Sequence, residues 1–246
     1  MKKLGLVSIS FRNLTPEKIL GEVKKAGLSV IEWGSDVHAP CNDTENLRKI
    51  ARLQQEYGIS CCSYGTYFRL GVNNTDELPD YITAAKILGT NIIRVWCGNK
   101  NPGEYSPDEE KVLFDECRKA AQICEKNNTV LCLECHNGTF TDTKEAAIRL
   151  MKEINSPFFR MYWQPNQFRT IEENKRYARL LSSFTKIIHV FNWTIDERFP
   201  LEDSADTWKE YLSYFDSDIT LLLEFMPDDD INSLKTEAAG LMKLRE

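Results

Sequence analysis

The 246-residue sequence has no apolar stretch that approaches the roughly 20 residues of a membrane span. It also has no basic run, because 31 Lys and Arg stand against 37 Asp and Glu and the formal net charge is −6. A broad surface for nucleic acid or anionic membrane is therefore not expected. Serines interrupt the apolar run from Leu4 to Phe11, which predicts a first strand and not a signal peptide. These features predict a cytoplasmic protein with a small-molecule partner.

Linkers and low-complexity tracts are also missing, so residues 1–246 are predicted to form a single domain. No Gly-rich phosphate-binding motif follows the first apolar segment, which disfavours a doubly wound open sheet. A hydrophobic fraction of 42% with 28% charged residues is ordinary for a chain that buries a sizeable core.

The cysteines are scattered along the chain and do not form a disulfide framework or a zinc motif. Cys132 and Cys135 are spaced as C-x-x-C, but both lie in an apolar segment typical of a strand, where residues three apart point to opposite faces. Free thiols are predicted for all eight, in a reducing compartment.

Short apolar, β-branched segments alternate with amphipathic ones, and the alternation occurs eight times at a spacing of roughly 30 residues, which is typical of βα units. The count and the chain length predict a closed (β/α)8 TIM barrel. The predicted strands are Leu4–Ser10, Val30–Trp33, Ile59–Ser63, Ile92–Trp96, Val130–Cys135, Phe158–Trp163, Ile187–Phe191 and Thr220–Phe225.

Helix boundaries are marked between these segments. Thr15-Pro16-Glu17, Asn42-Asp43-Thr44, Ser106-Pro107-Asp108 and Asp142-Thr143-Lys144 are predicted helix starts. Gly27, Gly58 and Gly89 each follow a helical segment, where a left-handed residue is expected to end the helix.

Polar residues at the carboxyl ends of the last four strands are the candidate site, because barrel enzymes build their active sites at that rim. Glu134, Gln164, His189 and Glu224 occupy these positions, and period-2 alternation places His136 on the same face as Glu134. Carboxylate, amide and imidazole ligands without thiolates suit Mn2+, Mg2+, Co2+ or Zn2+ in an open site and disfavour a structural zinc site. Two unpaired carboxylates buried near each other would be costly without such a cation. Glu32, in contrast, is a candidate for a structural salt-bridged residue.

Several phrases along the whole chain resemble the xylose isomerase-like sugar isomerase and epimerase family, a group of metal-dependent barrels that includes endonuclease IV. They are residues 31–38 (IEWGSDVH), 64–71 (YGTYFRLG), 134–139 (ECHNGT), 162–165 (YWQP), 189–191 (HVF) and 223–225 (LEF). The resemblance implies that Glu134, His189 and Glu224 hold a divalent metal. At position 164 the family usually has Asp, and the neutral Gln164 is expected to weaken cation binding.

The resemblance further implies isomerisation or epimerisation of a carbohydrate through an enediolate, with Glu134 and Glu224 as base and acid. The choice between these two reactions stays open. Rim positions that could contact substrate hydroxyls or an anionic group are His38, Tyr64, Tyr67, Trp96, His136 and Arg198.

Three other functions are alternatives. An endonuclease would need a histidine-rich three-zinc cluster and a basic surface, and three histidines with a negative net charge disfavour it. A metal-dependent dehydratase or lyase acting on a polyol or keto-sugar starts from the same proton abstraction. A non-catalytic sugar-binding barrel with a degenerate metal site would account for Gln164. The oligomeric state is left open between a monomer and a homo-oligomer.

Overall fold

The apolar segments of the sequence become eight parallel strands that pair in chain order and close into a barrel, β1 with β8. The computed structural model describes residues 3–244. The strands are β1 (Leu4–Val7), β2 (Val30–Gly34), β3 (Ser60–Leu70), β4 (Ile92–Cys97), β5 (Val130–Glu134), β6 (Phe159–Trp163), β7 (Thr185–Val190) and β8 (Thr220–Leu223). The predicted (β/α)8 fold is confirmed.

A helix follows each strand and returns the chain to the amino end of the barrel. The helices are α1 (Pro16–Lys25), α2 (Thr44–Tyr57), α3 (Leu78–Leu88), α4 (Pro107–Lys126), α5 (Lys144–Ile154), α6 (Ile171–Leu181), α7 (Ala205–Leu212) and α8 (Leu234–Lys243). Within residues 3–244, no helix combines the length and apolar character needed to cross a membrane.

The predicted helix starts carry the caps expected of them. The side chains of Thr15, Asp43, Ser106 and Thr143 each accept a backbone N–H of the first turn, and so satisfy a donor that has no partner inside the helix. Gly58 and Gly89 end α2 and α3 with left-handed φ angles of 70° and 87°. Short-range signals in the sequence therefore set these boundaries.

The predicted first strand was too long, because the chain leaves the ladder after Val7 and forms a 3-10 turn over Ser8–Phe11. The Ser8 hydroxyl accepts the Gly34 N–H at 2.9 Å, and the Ser10 hydroxyl accepts the Phe225 N–H at 2.8 Å. At these strand ends, serine hydroxyls thus accept the backbone N–H groups of residues that are distant in the chain.

The predicted third strand was too short. In the structure β3 continues beyond Ser63, and its Arg69 and Leu70 pair with Trp96 and Cys97 of β4. Its second half, Tyr64 to Leu70, is not uniformly apolar, so hydrophobicity alone missed it.

Two apolar layers surround the strands. The larger layer lies between strands and helices, and a smaller cluster that includes Val30, Cys132, Tyr162 and Leu222 is separate from it. Cys135 belongs to the larger layer, so the C-x-x-C cysteines do belong to different layers. Because all strands are parallel, their carboxyl ends open on one rim of the barrel.

Candidate active site

Three potential metal ligands meet at the carboxyl rim. Glu134 ends β5, His189 lies next to the end of β7, and Glu224 follows β8; one ligand atom from each lies within 4.8 Å of the others. His189 Nδ1 is 3.6 Å from a Glu224 carboxylate oxygen and 3.9 Å from Glu134 Oε1. All three side chains are buried.

Gln164, which follows β6, joins this group. Its Oε1 accepts a hydrogen bond from His189 Nδ1 at 2.9 Å, so Nδ1 carries a proton in this arrangement. The four side chains predicted at the ends of β5 to β8 thus lie together.

Arg94 of β4 holds the carboxylate of Glu134 from one side. Its Nη1 donates to Glu134 Oε2, and Trp96 Nε1 donates to the same oxygen at 2.7 Å. Oε2 is therefore occupied, and Oε1 is the atom that faces His189. This geometry allows Glu134 to bind a cation through one oxygen while Arg94 and Trp96 fix its orientation.

A second buried carboxylate, Glu32 of β2, completes the polar interior. It accepts hydrogen bonds from Arg94 Nε at 2.9 Å, from Ser63 at 2.7 Å and from the Tyr162 hydroxyl at 2.7 Å. Its Oε1 is 3.8 Å from His189 Nε2, and that nitrogen is buried without a hydrogen-bond partner among the described residues. Glu32 is thus ion-paired, as expected for a structural role. It also faces Nε2 of His189, the ring nitrogen that points away from Gln164.

Charges in this cluster shift the pKa of each acid differently. Burial alone would raise the pKa of Glu32 and of Glu134, but Arg94 and His189 together outweigh it and both pKa values are lowered. Burial alone would lower the pKa of His189, but Glu224 and Glu32 raise it. Burial raises the pKa of Glu224, and the charge of Glu134 adds to that effect.

The residues fit a divalent cation on three grounds. The donors are oxygen and imidazole nitrogen, which suit Mg2+, Mn2+, Co2+ and Zn2+. Ionised Glu32, Glu134 and Glu224 together with Arg94 would carry a net charge of −2, and a divalent ion would neutralise it. With Nδ1 as ligand, the proton of the imidazole would move to Nε2, which faces Glu32.

Gly65 of β3 leaves the space that Arg94 and Glu32 fill. A Cβ at this position would lie 2.5 Å from Glu32 Oε1 and 2.8 Å from Arg94 Nη2. We expect Gly65→Ala to lower the free energy of unfolding by about 1–3 kcal/mol, because a buried ion pair must shift. Chemical denaturation measures this loss. Gly103→Ala, where nothing lies within 4 Å of the added Cβ, is the matched control. Equal stabilities of the two variants would contradict the close packing at Gly65.

The potential metal ligands lie beside an open cavity of about 430 Å3. Glu134 and Glu224 line it together with Arg94 and Gln164, and the loops after β6 and β7 form one side of it. This volume accommodates a small molecule of the size of one sugar ring and its substituents.

A family model described as a xylose isomerase-like TIM barrel matches residues 20–198. The chain belongs to this family. One segment of this barrel is 29% identical over 166 residues to the 3-dehydroshikimate dehydratase of Bacillus anthracis. The match covers 63% of this chain and 59% of that relative, so the chain spans about three fifths of the relative's length.

Solved structures similar to this xylose isomerase-like barrel agree in fold. The probable 3-DHS dehydratase of petrobactin synthesis from Bacillus anthracis has a TM-score of 0.80 at 18% identity, with 98% of this chain and 99% of that chain covered. D-Psicose 3-epimerase from Clostridium cellulolyticum H10, solved with D-tagatose, has a TM-score of 0.73 at 13% identity, with 99% and 98% covered. At these identities the likeness shows the fold alone.

Three of the predicted substrate contacts line the cavity of the barrel. Trp96 and His136 lie side by side, with ring centroids 5.3 Å apart, and Tyr67 meets the edge of Trp96 at 5.2 Å. His136 Nδ1 donates to the Asn137 carbonyl at 2.8 Å, so Nε2 is the ring nitrogen left free. Their role in binding substrate stays a prediction.

The other three predicted contacts lie outside the cavity wall. Both ring nitrogens of the buried His38 are 3.1 Å from other partners, the Ser8 hydroxyl and the Leu14 carbonyl. The buried Tyr64 donates to the Ala39 carbonyl at 2.5 Å. Arg198 pairs with Asp229, and its guanidinium packs on rings behind the cavity wall. Strand and loop position alone did not distinguish these residues from the cavity-lining ones.

Sequence reasoning missed two arginines of the cavity wall, Arg94 and Arg12. A signal for Arg94 was present, since a charged residue two positions before Trp96 in an apolar strand lies on the same face as that tryptophan. Arg12 follows β1 and donates through Nε to Asp36 at 2.5 Å. Nothing in its local sequence marks this pairing.

Proposed function

We propose that this protein is a metal-dependent enzyme that removes a proton from the carbon beside a carbonyl group of a small polyhydroxylated substrate and eliminates a β-hydroxyl group as water. The observation that carries the proposal is the convergence of Glu134, His189 and Glu224, with ligand atoms within 4.8 Å, beside an open cavity.

Glu134 through Oε1, Glu224, His189 through Nδ1 and the Gln164 carbonyl oxygen would hold the cation. When bound, a divalent cation would polarise the substrate carbonyl and stabilise the negative charge that develops on its oxygen. Arg94 and Trp96 keep the Glu134 carboxylate ionised and oriented for this role.

The two glutamates are not equivalent, and this favours elimination over epimerisation. Glu134 Oε2 already accepts two hydrogen bonds, whereas the Glu224 carboxylate accepts none from residues 3–244. Epimerisation by two bases needs a proton-transfer group on each face of the substrate. Because Glu224 is the carboxylate that no hydrogen bond within residues 3–244 holds, proton removal from one face is the simpler outcome.

His136 supplies the second proton transfer. It lines the cavity, and its Nε2 is free because Nδ1 is held by Asn137. In the elimination, the carbon-bound proton passes to Glu224 and the β-carbon–oxygen bond breaks. The departing hydroxyl takes the Nε2 proton of the imidazolium form of His136 and leaves as water, a carbon–carbon double bond forms, and Nδ1 keeps its proton. The resemblance to a 3-dehydroshikimate dehydratase at 29% identity supports this class of reaction.

A sugar isomerase or epimerase is the second candidate. Both Glu134 and Glu224 line the same cavity, which a two-base mechanism requires, and the fold is shared with D-psicose 3-epimerase. A carbohydrate substrate, the absence of nucleic-acid and membrane partners and the cytoplasmic location stay predictions, and the oligomeric state stays open.

The two candidates differ in what they do in D2O. We expect the metal-loaded protein to convert a polyhydroxylated ketone or keto acid to an unsaturated product with loss of one carbon-bound proton, which NMR and ultraviolet absorbance detect. A test panel is 3-dehydroshikimate, D-psicose and D-tagatose. Deuterium at the carbon beside the carbonyl together with a second sugar would assign the epimerase instead. Binding of a panel member, seen by saturation-transfer NMR, without any exchange would indicate a binding protein.

A further inference from the structure

A second cavity, of about 450 Å3, adjoins the first one. The two cavities share Pro165, Asn166 and Gln167 after β6 and Trp193 after β7 as common walls. Since both lie beside the same loops, a ligand that reacts in the first cavity can extend into the second across this partition.

The lining of the second cavity is aromatic and rich in amides. Trp193, Trp208 and Tyr211 contribute rings, and Asn166, Gln167, Asn174 and Asn192 contribute amides. Rings with a few polar groups are typical of sites for small cyclic molecules.

The second cavity has two charged lining residues among those described, Arg169 and Asp196. Arg169 donates to Asp142 at 3.1 Å, and Asp196 is exposed on the loop after β7. Among the described lining residues, no unpaired cation is left to bind an anionic group. The lining therefore disfavours an anionic ligand, because the one cation among its described residues is paired and Asp196 adds a negative charge at its edge.

Apolar side chains are unusually exposed around the two cavities. Phe168 beside the first cavity is 59% exposed, and Ile171 and Ile195 beside the second are 51% and 61% exposed. Clustered exposed apolar side chains mark binding surfaces. The Gln167 amide, which lines both cavities, makes no hydrogen bond within residues 3–244 and is free to contact a ligand.

We propose that the substrate has two rings: a polyhydroxylated ring that reacts in the first cavity and a second neutral ring, sugar or aryl, that lies in the second cavity against Trp193. This inference rests on the proposed function for the identity of the reacting ring, and the second-ring site stands on the cavity itself. A glycoside whose reacting sugar carries a carbonyl group is the simplest compound of this class, and glycosides without that carbonyl serve as ligands that bind without turnover.

The test measures binding without turnover, by calorimetry or tryptophan fluorescence. The ligands are matched methyl and 4-nitrophenyl glycosides of glucose, galactose, mannose and xylose in both anomers, with cellobiose as a two-sugar ligand. We expect at least one ligand with a second ring to have a Kd about tenfold or more below that of its methyl partner, about 1.4 kcal/mol. A 4-nitrophenyl preference identifies an aryl ring, and a cellobiose preference identifies a sugar ring.

Two variants locate the effect. Thr207→Trp fills the second cavity from α7, and Ile195→Ala removes an exposed apolar wall; both are expected to reduce the preference for the second ring. Leu180→Ala replaces an exposed aliphatic residue of α6 that lines neither cavity, and it is expected to leave the preference unchanged.

Equal Kd values for all methyl and two-ring pairs would overturn the inference, as would a preference that survives in both cavity variants. The proposed function is judged separately, by deuterium exchange on single-ring substrates. If single-ring substrates exchange and the methyl and two-ring ligands bind with equal Kd values, the reaction stands and the second-ring site falls. If two-ring ligands bind as expected and no substrate exchanges a carbon-bound proton, the second-ring site stands and the proposed reaction falls.

Discussion

Glu224→Gln is expected to abolish both metal binding and turnover. The side chain is buried, and its carboxylate oxygen lies 3.6 Å from His189 Nδ1, so the amide would replace a charged ligand without changing the shape of the site. Because partners that only orient ligands already change metal affinity by about 10–100-fold, we expect a loss of at least about 100-fold. Because the Glu224 carboxylate is also the group proposed to take the proton from carbon, its loss should lower kcat by about 10²–10⁴-fold. Elemental analysis of protein purified without added metal, then incubated with Mn2+, measures the first effect.

Glu237→Gln is the matched control, because Glu237 is a buried carboxylate of α8 that accepts the Leu201 N–H at 3.0 Å, outside the cavity. It is expected to retain the wild-type metal content. Glu134→Gln should lose the metal as Glu224→Gln does. Gln164→Asp, which adds a negative charge to the ligand set, is expected to bind Mn2+ more tightly than the wild type. A wild-type protein that binds no ion even in excess Mn2+ would falsify the metal-dependent mechanism and favour a sugar-binding protein.

Arg94→Met is expected to cause the largest loss of stability of any single substitution considered. Arg94 is 2% exposed and bridges Glu32 and Glu134, so its removal leaves two buried carboxylates without their cation. Breaking a buried pair in this way costs about 3–5 kcal/mol. For a chain of this size each kcal/mol lowers the Tm by about 2–4 °C. Thermal and urea unfolding of the metal-free protein measure the effect.

Arg118→Met provides the comparison, since Arg118 also bridges two acids, Asp115 and Glu153, at 2.6 Å each but is 40% exposed. Its loss is expected to cost less than about 1 kcal/mol, because water solvates the acids that it leaves. Mn2+ should raise the Tm of Arg94→Met by more than it raises that of the wild type, since the cation replaces part of the lost positive charge. Equal destabilisation by Arg94→Met and Arg118→Met would show that Arg94 does not hold the acids of the site.

The barrel could be predicted from the sequence because its signals are local. Eight apolar segments at βα spacing, helix caps such as Thr15 and Ser106, and Gly58 and Gly89 after their helices act within a few residues of their own positions. Strand ends were predicted less well. Ser8 and Ser10 end β1 through hydrogen bonds to Gly34 and Phe225, which are distant in the chain.

The meeting of the candidate metal ligands was predictable for a related reason. In a parallel barrel every strand end reaches the same rim, so Glu134, Gln164, His189 and Glu224 meet wherever the strands end. His38 and Tyr64 lie near the same rim, but their side chains bond to Ser8, Leu14 and Ala39 and not to the cavity. His38 lies in an irregular segment, where side-chain direction has no period, and Tyr64 lies in the second half of β3, which hydrophobicity did not predict.

By itself, the sequence determined the barrel, the order of its strands and the donor atoms at its rim, because periodicity and capping are encoded residue by residue. Only the tertiary structure decided how those donors are charged and which of them is free to act. Arg94 reaches Glu32 and Glu134 across 62 and 40 residues of chain, and Gly65 leaves the space for it. Whether a carboxylate is paired, protonated or free depends on the few ångströms around it. The positions of the neighbouring charges around each carboxylate are set only when the eight strands have closed into a barrel.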